Sequence, residues 1–335
     1  MDKQQHGGNV TAFAKKIGCK VSEVIDLSSN INFVQPKIDI DFNRLNISAY
    51  PNYEHLENSI ANLYDIQTEE LELFNGATTA IYSLFRILNL QHCTLYAPLY
   101  LEYEKAAKIY KYTLQQINRF ENMEEQIKDN SLVVFVNPST PDGQFYDLDK
   151  LMSQWMKKNC TIFIDESFLD FTPHASVTKY LKEYNKLYIL KSMTKFYSAA
   201  GIRVGALLSN ERNITHIKKQ EPLWKISEFD SHYLTNALKD KKFKEKSQKS
   251  NEKHRQILIE ILQDLPCIHS IYPSSSNFVM IKLQDIDAST FQEKLLPFKI
   301  MIRNCNNFKY LNKYHVRIAI KDLYSLKILE EALPK

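Results

Sequence analysis

Lys191-Ser192-Met193-Thr194-Lys195-Phe196-Tyr197-Ser198-Ala199-Ala200-Gly201-Ile202-Arg203-Val204-Gly205 is the stretch whose reading decides the fold. It follows Leu187-Tyr188-Ile189-Leu190, an apolar run that predicts a buried strand. A lysine just beyond such a strand loses solvation, which favours its neutral, nucleophilic amine. Ser192 and Arg203 stand close enough in sequence to hold a phosphate by charge-assisted hydrogen bonds. Together they suit a phosphate-bearing aldehyde bonded to Lys195. Taken alone, the stretch is better read as a solvated lysine after a strand. Ser192-Met193-Thr194-Lys195 also fits the S-x-x-K pattern of penicillin-binding enzymes, but no later K-T-G accompanies it. The rest of the chain has to decide.

Working outward, Cys93 to Pro98, Leu132 to Val136 and Thr161 to Ile164 are further short apolar runs, separated by helical segments. The alternation predicts an α/β fold with a mostly parallel sheet and helices on both faces. Ligands bind such sheets beyond the carboxyl ends of the strands. There the chain carries Pro98-Leu99-Tyr100, Asn137-Pro138-Ser139-Thr140-Pro141, Asp165-Glu166 and the lysine stretch. Four ends bearing reactive or polar groups are harder to assign to chance than one. Asp165-Glu166 resembles a nucleotide-hydrolase acidic pair, but there is no G-x-x-x-x-G-K-[ST] loop. Asn75-Gly76-Ala77-Thr78-Thr79 leads into a helix with Ile81, Leu84, Phe85 and Leu88 on one face. Its first N–H groups are available to an anion, although threonine caps are common.

The 335 residues carry a net charge of +4, too little to argue for nucleic acid or a membrane surface. Hydrophobic residues make up 44%, which predicts a packed globule. Five scattered cysteines without C-x-x-C, and no clustered histidines, argue against a metal site or disulfides. The polar start and the absence of a bilayer-length apolar run predict a cytoplasmic protein. Only 7 glycines occur, so the adjacent pair in His6-Gly7-Gly8-Asn9 suggests backbone fitted against something. The lysine-rich segment from Lys239 to Arg255 reads as a solvated helix face because acids are interspersed. Beyond Pro273, Phe278 to Leu283 and Tyr314 to Ile320 predict strands of a smaller α/β unit. Arg317 alternates with Val316 and Ile318, where a guanidinium is costly unless it is exposed at an edge or paired with an anion.

Several of these stretches, in order, resemble the fold-type I pyridoxal phosphate (PLP) enzymes of the aminotransferase class I/II superfamily. They are His6-Gly7-Gly8-Asn9, Ser29-Asn30-Ile31-Asn32, Tyr50-Pro51, Asn75-Gly76-Ala77-Thr78, Pro98 with Glu102-Tyr103-Glu104, Asp165 to Phe171, Thr194-Lys195-Phe196-Tyr197 and Ile302 to Asn307. Within that superfamily the chain looks most similar to the L-threonine-O-3-phosphate decarboxylase branch of cobalamin biosynthesis, near the histidinol-phosphate aminotransferases. The resemblance implies a large PLP-binding domain over 46–235, a small C-terminal domain over 236–335, and an arm over 1–45 that belongs partly to the small domain. It implies that Lys195 carries the cofactor and then moves protons. Asp165 would face the pyridinium nitrogen, Asn137 the ring hydroxyl, and Tyr100 the ring face. Ala77, Thr78, Ser192 and Arg203 would cradle the cofactor phosphate. Tyr50 would reach the phosphate in the other subunit of a homodimer with shared active sites. His6, Asn30, Arg303 and Arg317 would bind the substrate's anions, with the division between the two arginines left open.

The sequence departs from the family pattern at particular places. N-P-x-N-P-T-G becomes Asn137-Pro138-Ser139-Thr140-Pro141-Asp142-Gly143, Ala200 replaces a usual proline, and Ser227 replaces a common asparagine. Phe168 stands where transaminases usually carry a tyrosine near the ring hydroxyl, which favours decarboxylation. The leading reading is decarboxylation of a phosphorylated amino acid such as O-phospho-L-threonine. The alternatives are transfer of an amino group from histidinol phosphate to 2-oxoglutarate, and a non-enzymatic PLP-binding module serving a regulator.

Overall fold

The computed structural model describes residues 7–333. A seven-stranded and a four-stranded sheet organise the chain, with a third, two-stranded sheet beside them. The first elements are α1 (Val10–Ile17), β1 (Ile25–Asp26), α2 (Glu54–Tyr64), β2 (Leu71–Asn75), α3 (Ala77–Leu88), β3 (His92–Ala97), α4 (Leu101–Ile109) and β4 (Thr113–Asn118). Next come β5 (Leu132–Val136), α5 (Asp149–Lys157), β6 (Thr161–Asp165), β7 (Leu187–Ser192), α6 (Met193–Phe196) and β8 (Val204–Leu208). The chain continues through α7 (Glu211–Lys218), α8 (Glu228–Ala237), α9 (Phe243–Gln263), β9 (Ile268–Ile271), β10 (Phe278–Leu283) and α10 (Ala288–Leu295). It closes with β11 (Ile300–Met301), β12 (Arg303–Asn304), β13 (His315–Ala319) and α11 (Leu323–Ala332).

The large sheet has the order β2-β8-β7-β6-β5-β3-β4. Only β8 runs against its neighbours, so the mostly parallel sheet is present. Strand alternation divides its side chains between two cores. Val133, Phe135, Ile162, Ile164 and Ile189 join Leu56, Ile60 and Trp155 on one face. Val134, Val136, Phe163 and Leu190 join Ile81, Phe85, Tyr103 and Ile214 on the other. The smaller sheet, β12-β13-β10-β9, packs against α9, α10 and α11 through Leu258, Phe291 and Leu329. Arg317 therefore lies on an inner strand and is buried, not exposed at an edge.

The segment after β1 joins the two sheets. Leu27 N–H donates to Met301 O, and Ala319 N–H donates to Leu27 O. Asn32 N–H donates to Lys195 O, and its carboxamide donates to Phe196 O. The lysine loop is thus tied directly to the arm that covers it. Among the described residues no helix is long and apolar enough to cross a membrane.

Lys191, one residue before the expected phosphate ligand, has a side chain only 1% exposed. Period two points it away from Ser192, into the face shared with Leu187 and Ile189. There it pairs with Glu166, which also accepts from Ser176 Oγ and Val177 N–H, and it lies 4.2 Å from the Tyr64 ring centre. Glu166→Ala leaves this ammonium buried without its counter-charge, and unfolding in urea should show a loss of about 3–5 kcal/mol. Replacing both partners by Met and Leu should cost much less. An equal loss in the double variant would contradict this account of the pair.

Candidate active site

The carboxyl ends of β6 and β7, the start of α3 and the facing edge of the small sheet enclose a cavity of about 470 Å³. Asp165 ends β6 and Ser192 ends β7, followed at once by the single turn α6 that carries Lys195. The Lys195 amine donates to Ser192 Oγ at 3.1 Å and lies 5.3 Å from the Phe168 ring centre. Burial lowers its pKa below the ordinary lysine value. Asp165 opposes that shift, while Arg203 and Arg317 reinforce it. Lowering the amine's pKa makes its neutral form, the one a nucleophile or proton acceptor uses, more accessible.

Asp165 is fixed at both oxygens. Oδ2 accepts from Tyr103 Oη at 2.8 Å, and Oδ1 accepts from Ser167 N–H at 2.8 Å. Tyr103 is buried on α4, T-shaped against Phe163 and Tyr100. Burial and the neighbouring carboxylate push its phenol well up, so it remains a donor. Tyr103, within Glu102-Tyr103-Glu104, carries no role that the motifs alone assign. Its spacing of three from Tyr100 on one helical face was the available signal.

On the opposite side, Gly205 lets β8 approach α3 closely. A Cβ there would lie 2.5 Å from Ala77 N. The close contact brings the N-terminus of α3 beside Ser192 and Arg203, with Ala77, Ser192 and Arg203 all on the cavity wall. Arg203 is steadied through Nη1 on Ala200 O and through its own N–H on Asp230. Asp230 is in turn set by Ser227, whose hydroxyl caps α8, which gives the departure at Ser227 a structural task. Thr78 stands at the wall's margin, with Oγ1 3.4 Å from the Tyr100 hydroxyl. Tyr100 lines the cavity, and burial raises its pKa.

The far wall is cationic. Arg303 and Arg317 are Cα partners on the neighbouring strands β12 and β13, and both line the cavity. Arg317 donates from Nη1 to Thr140 Oγ1 at 3.2 Å and from Nη2 to Ser28 O at 3.1 Å. Burial pulls its pKa down to about 10, and Arg303 acts in the same direction. Arg303 donates to Asn307 Oδ1 at 2.8 Å and faces the Phe308 ring. Asn30 lines the same wall, and its backbone oxygen accepts from Asn277. His6 lies outside the described residues.

Two expected residues are placed differently. Asn137 does not line the cavity. Its carboxamide closes a reciprocal pair with the Tyr146 backbone, both bonds 2.9 Å. Thr140 lines the cavity instead. Tyr50 is 75% exposed and stacks on Trp224 with ring centres 4.2 Å apart, outside this chain's cavity.

With this geometry in view, comparison with known proteins is informative. The family model for aminotransferase class I and II matches residues 22–333. The threonine-phosphate decarboxylase of Salmonella typhimurium is 24% identical over 94% of this chain and 92% of its own. The bifunctional adenosylcobalamin biosynthesis protein CobDQ of Leptospira interrogans is 28% identical over 96% of this chain, which spans only 40% of that longer protein. The crystal structure of histidinol-phosphate aminotransferase from Clostridium acetobutylicum superposes with a TM-score of 0.82 at 30% identity, covering 92% of this chain and 98% of that one.

The cofactor of this family is PLP, and the cavity fits it on its own terms. An N–H-rich helix start, a hydroxyl, a guanidinium, a fixed carboxylate and a buried amine all line it. The contact at Gly205 gives a direct check. Gly205→Ala forces β8 and α3 apart, so PLP titration of the apoprotein, followed by absorbance, should show affinity about tenfold or more weaker. Unchanged affinity would mean that the start of α3 does not hold the cofactor phosphate.

Proposed function

Given that the chain belongs to the aminotransferase class I and II family of PLP enzymes, we propose that it decarboxylates a phosphorylated amino acid, with O-phospho-L-threonine as the best-fitting substrate. The observation that carries this reading is the pairing of Arg303 with Arg317 in register on one buried wall. Like charges directly opposite on adjacent strands repel. Burial strips them of the water that would screen them. A substrate bearing both a carboxylate and a phosphate satisfies two such cations at once.

The residues then divide the work. Ala77 N–H, Thr78, Ser192 and Arg203 hold the cofactor phosphate, Asp165 its ring nitrogen, and Tyr100 its ring face. PLP supplies a protonated ring that accepts the electron pair left at Cα when a bond there breaks. Arg303, Arg317 and Asn30 would fix the substrate's anions and so hold its Cα–carboxylate bond in one orientation for loss of carbon dioxide. Lys195 is the only lysine lining the cavity among the described residues, and its amine delivers the proton that replaces the lost carboxylate at Cα. Phe168 sets an apolar ring, which has no hydrogen-bond donor, 5.3 Å from that amine.

A homodimer belongs to the same reading. Tyr50, Ile47, Leu223 and Trp224 are exposed, and Tyr50 stacks on Trp224. We take this apolar group as the face from which Tyr50 reaches the partner's cofactor phosphate. One observation favours a second reading, amino transfer from histidinol phosphate: the 30% identity to the Clostridium acetobutylicum enzyme over nearly its whole length.

One assay separates the two. Holoenzyme is given O-phospho-L-threonine, O-phospho-L-serine or histidinol phosphate, each with and without 2-oxoglutarate. Carbon dioxide and phosphorylated aminopropanol should appear from O-phospho-L-threonine without an oxo acid. Glutamate formed from histidinol phosphate, with no carbon dioxide from either amino acid, would replace this proposal by the second. Arg303→Gln and Arg317→Gln should each raise KM about 10–100-fold, the worth of a hydrogen bond to a charged group.

A further inference from the structure

The loop between β5 and α5 departs most from the family pattern, and it holds a second buried ion pair. Arg119, just past β4, bonds through Nη2 to Asp142, and each side chain is 1% exposed. Asp142 also accepts from Ser139 Oγ at 2.7 Å. Ser139 N–H donates to Gln144 O, and Gly143 N–H donates to Ser139 O, both at 2.9 Å. Arg119 Nη2 lies 3.5 Å from Thr140 O. The turn is clamped from the small sheet's side as well. Ser275 N–H donates to Gly143 O, and a Cβ on Gly143 would lie 2.2 Å from Ser274 Oγ.

Neither Arg119 nor Asp142 lines the cavity, but the residue tethered between Ser139 and Asp142 does. Thr140 Oγ1 accepts from Arg317 Nη1. With Nη2 held by Ser28 O, that bond leaves the Arg317 guanidinium little freedom to turn. Burying two charges costs several kcal/mol per ion, and a well-packed apolar pair would hold a loop equally well. The ion pair's distinctive product is a fixed place for the Thr140 hydroxyl.

We propose that Arg119 and Asp142 are positioning residues: their ion pair sets the 139–144 turn so that Thr140 orients Arg317 toward the substrate's anion. The inference rests on the proposed function only for the identity of that anion.

The test is a double-mutant cycle on holoenzyme. It reads the dissociation constant of O-phospho-L-threonine by calorimetry, KM and kcat where turnover occurs, and the melting temperature. Thr140→Val should weaken binding about tenfold, with the loss falling on KM rather than kcat. Thr140→Ser keeps the hydroxyl and should restore binding to within about twofold. Asp142→Asn should weaken binding by a similar factor, yet add less than about twofold in the Thr140→Val background, because both act through one bond. Independent, multiplying losses, or a lowered melting temperature with unchanged binding, would overturn the proposal. If Asp142→Asn does not fold, Arg119→Gln with Asp142→Asn keeps an amide hydrogen bond and enters the same cycle. If O-phospho-L-threonine does not bind the unmodified holoenzyme, the substrate assignment fails. The cycle run with inorganic phosphate then decides the positioning role by the same criteria.

Discussion

A buried amine beside a fixed carboxylate is the constraint on which this structure depends. Lys195 follows β7, and Asp165 ends β6, its parallel neighbour. Removing the lysine from water makes its neutral form accessible, and the nearby carboxylate limits how far that goes. Asp165 can do this because Tyr103 and the Ser167 amide hold both of its oxygens. Had either group faced the opposite side of the sheet, as Lys191 and Glu166 do, it would be part of the core.

Around that pair the chain assembles a site from distant parts. The helix start at Ala77, pressed onto β8 at Gly205, supplies N–H donors at one end. The small sheet supplies two guanidinium groups at the other. The arm after β1 connects them, since Ser28 O accepts from Arg317 while Asn32 binds the loop of Lys195. A displacement of the small sheet would therefore move the cations relative to the amine. This gives the two sheets a shared functional reason to be joined by one short segment.

The sequence made part of this legible. Four apolar runs marked strands of the parallel sheet, and the polar groups at their ends marked the cavity. β2, β4 and β8 were not read, for identifiable reasons. Glu72 interrupts β2 and is neutralised by Lys225, a partner 153 residues away. β4 is an edge strand, Thr113–Asn118, with two glutamines at its centre. β8 begins inside the motif stretch, whose last two residues are Val204 and Gly205. In the site, motif position puts forward Lys195, Asp165, Ser192 and Arg203, and all four line one cavity. The same logic puts forward Asn137, which is absent from the cavity lining, because a carboxamide's partner depends on how the loop folds. Here the Tyr146 backbone takes it and Thr140 faces the cavity. Arg119 belongs to no motif, and only the folded chain brings it to Asp142.

The central claim is that Lys195 is the residue that bonds the PLP aldehyde. Borohydride reduction of the PLP-loaded protein, followed by proteolysis and peptide mass spectrometry, tests it directly. The account predicts one pyridoxyl adduct, on the peptide containing Lys195, and its disappearance in Lys195→Ala. An adduct on another lysine such as Lys191, or one that persists in Lys195→Ala, would contradict it.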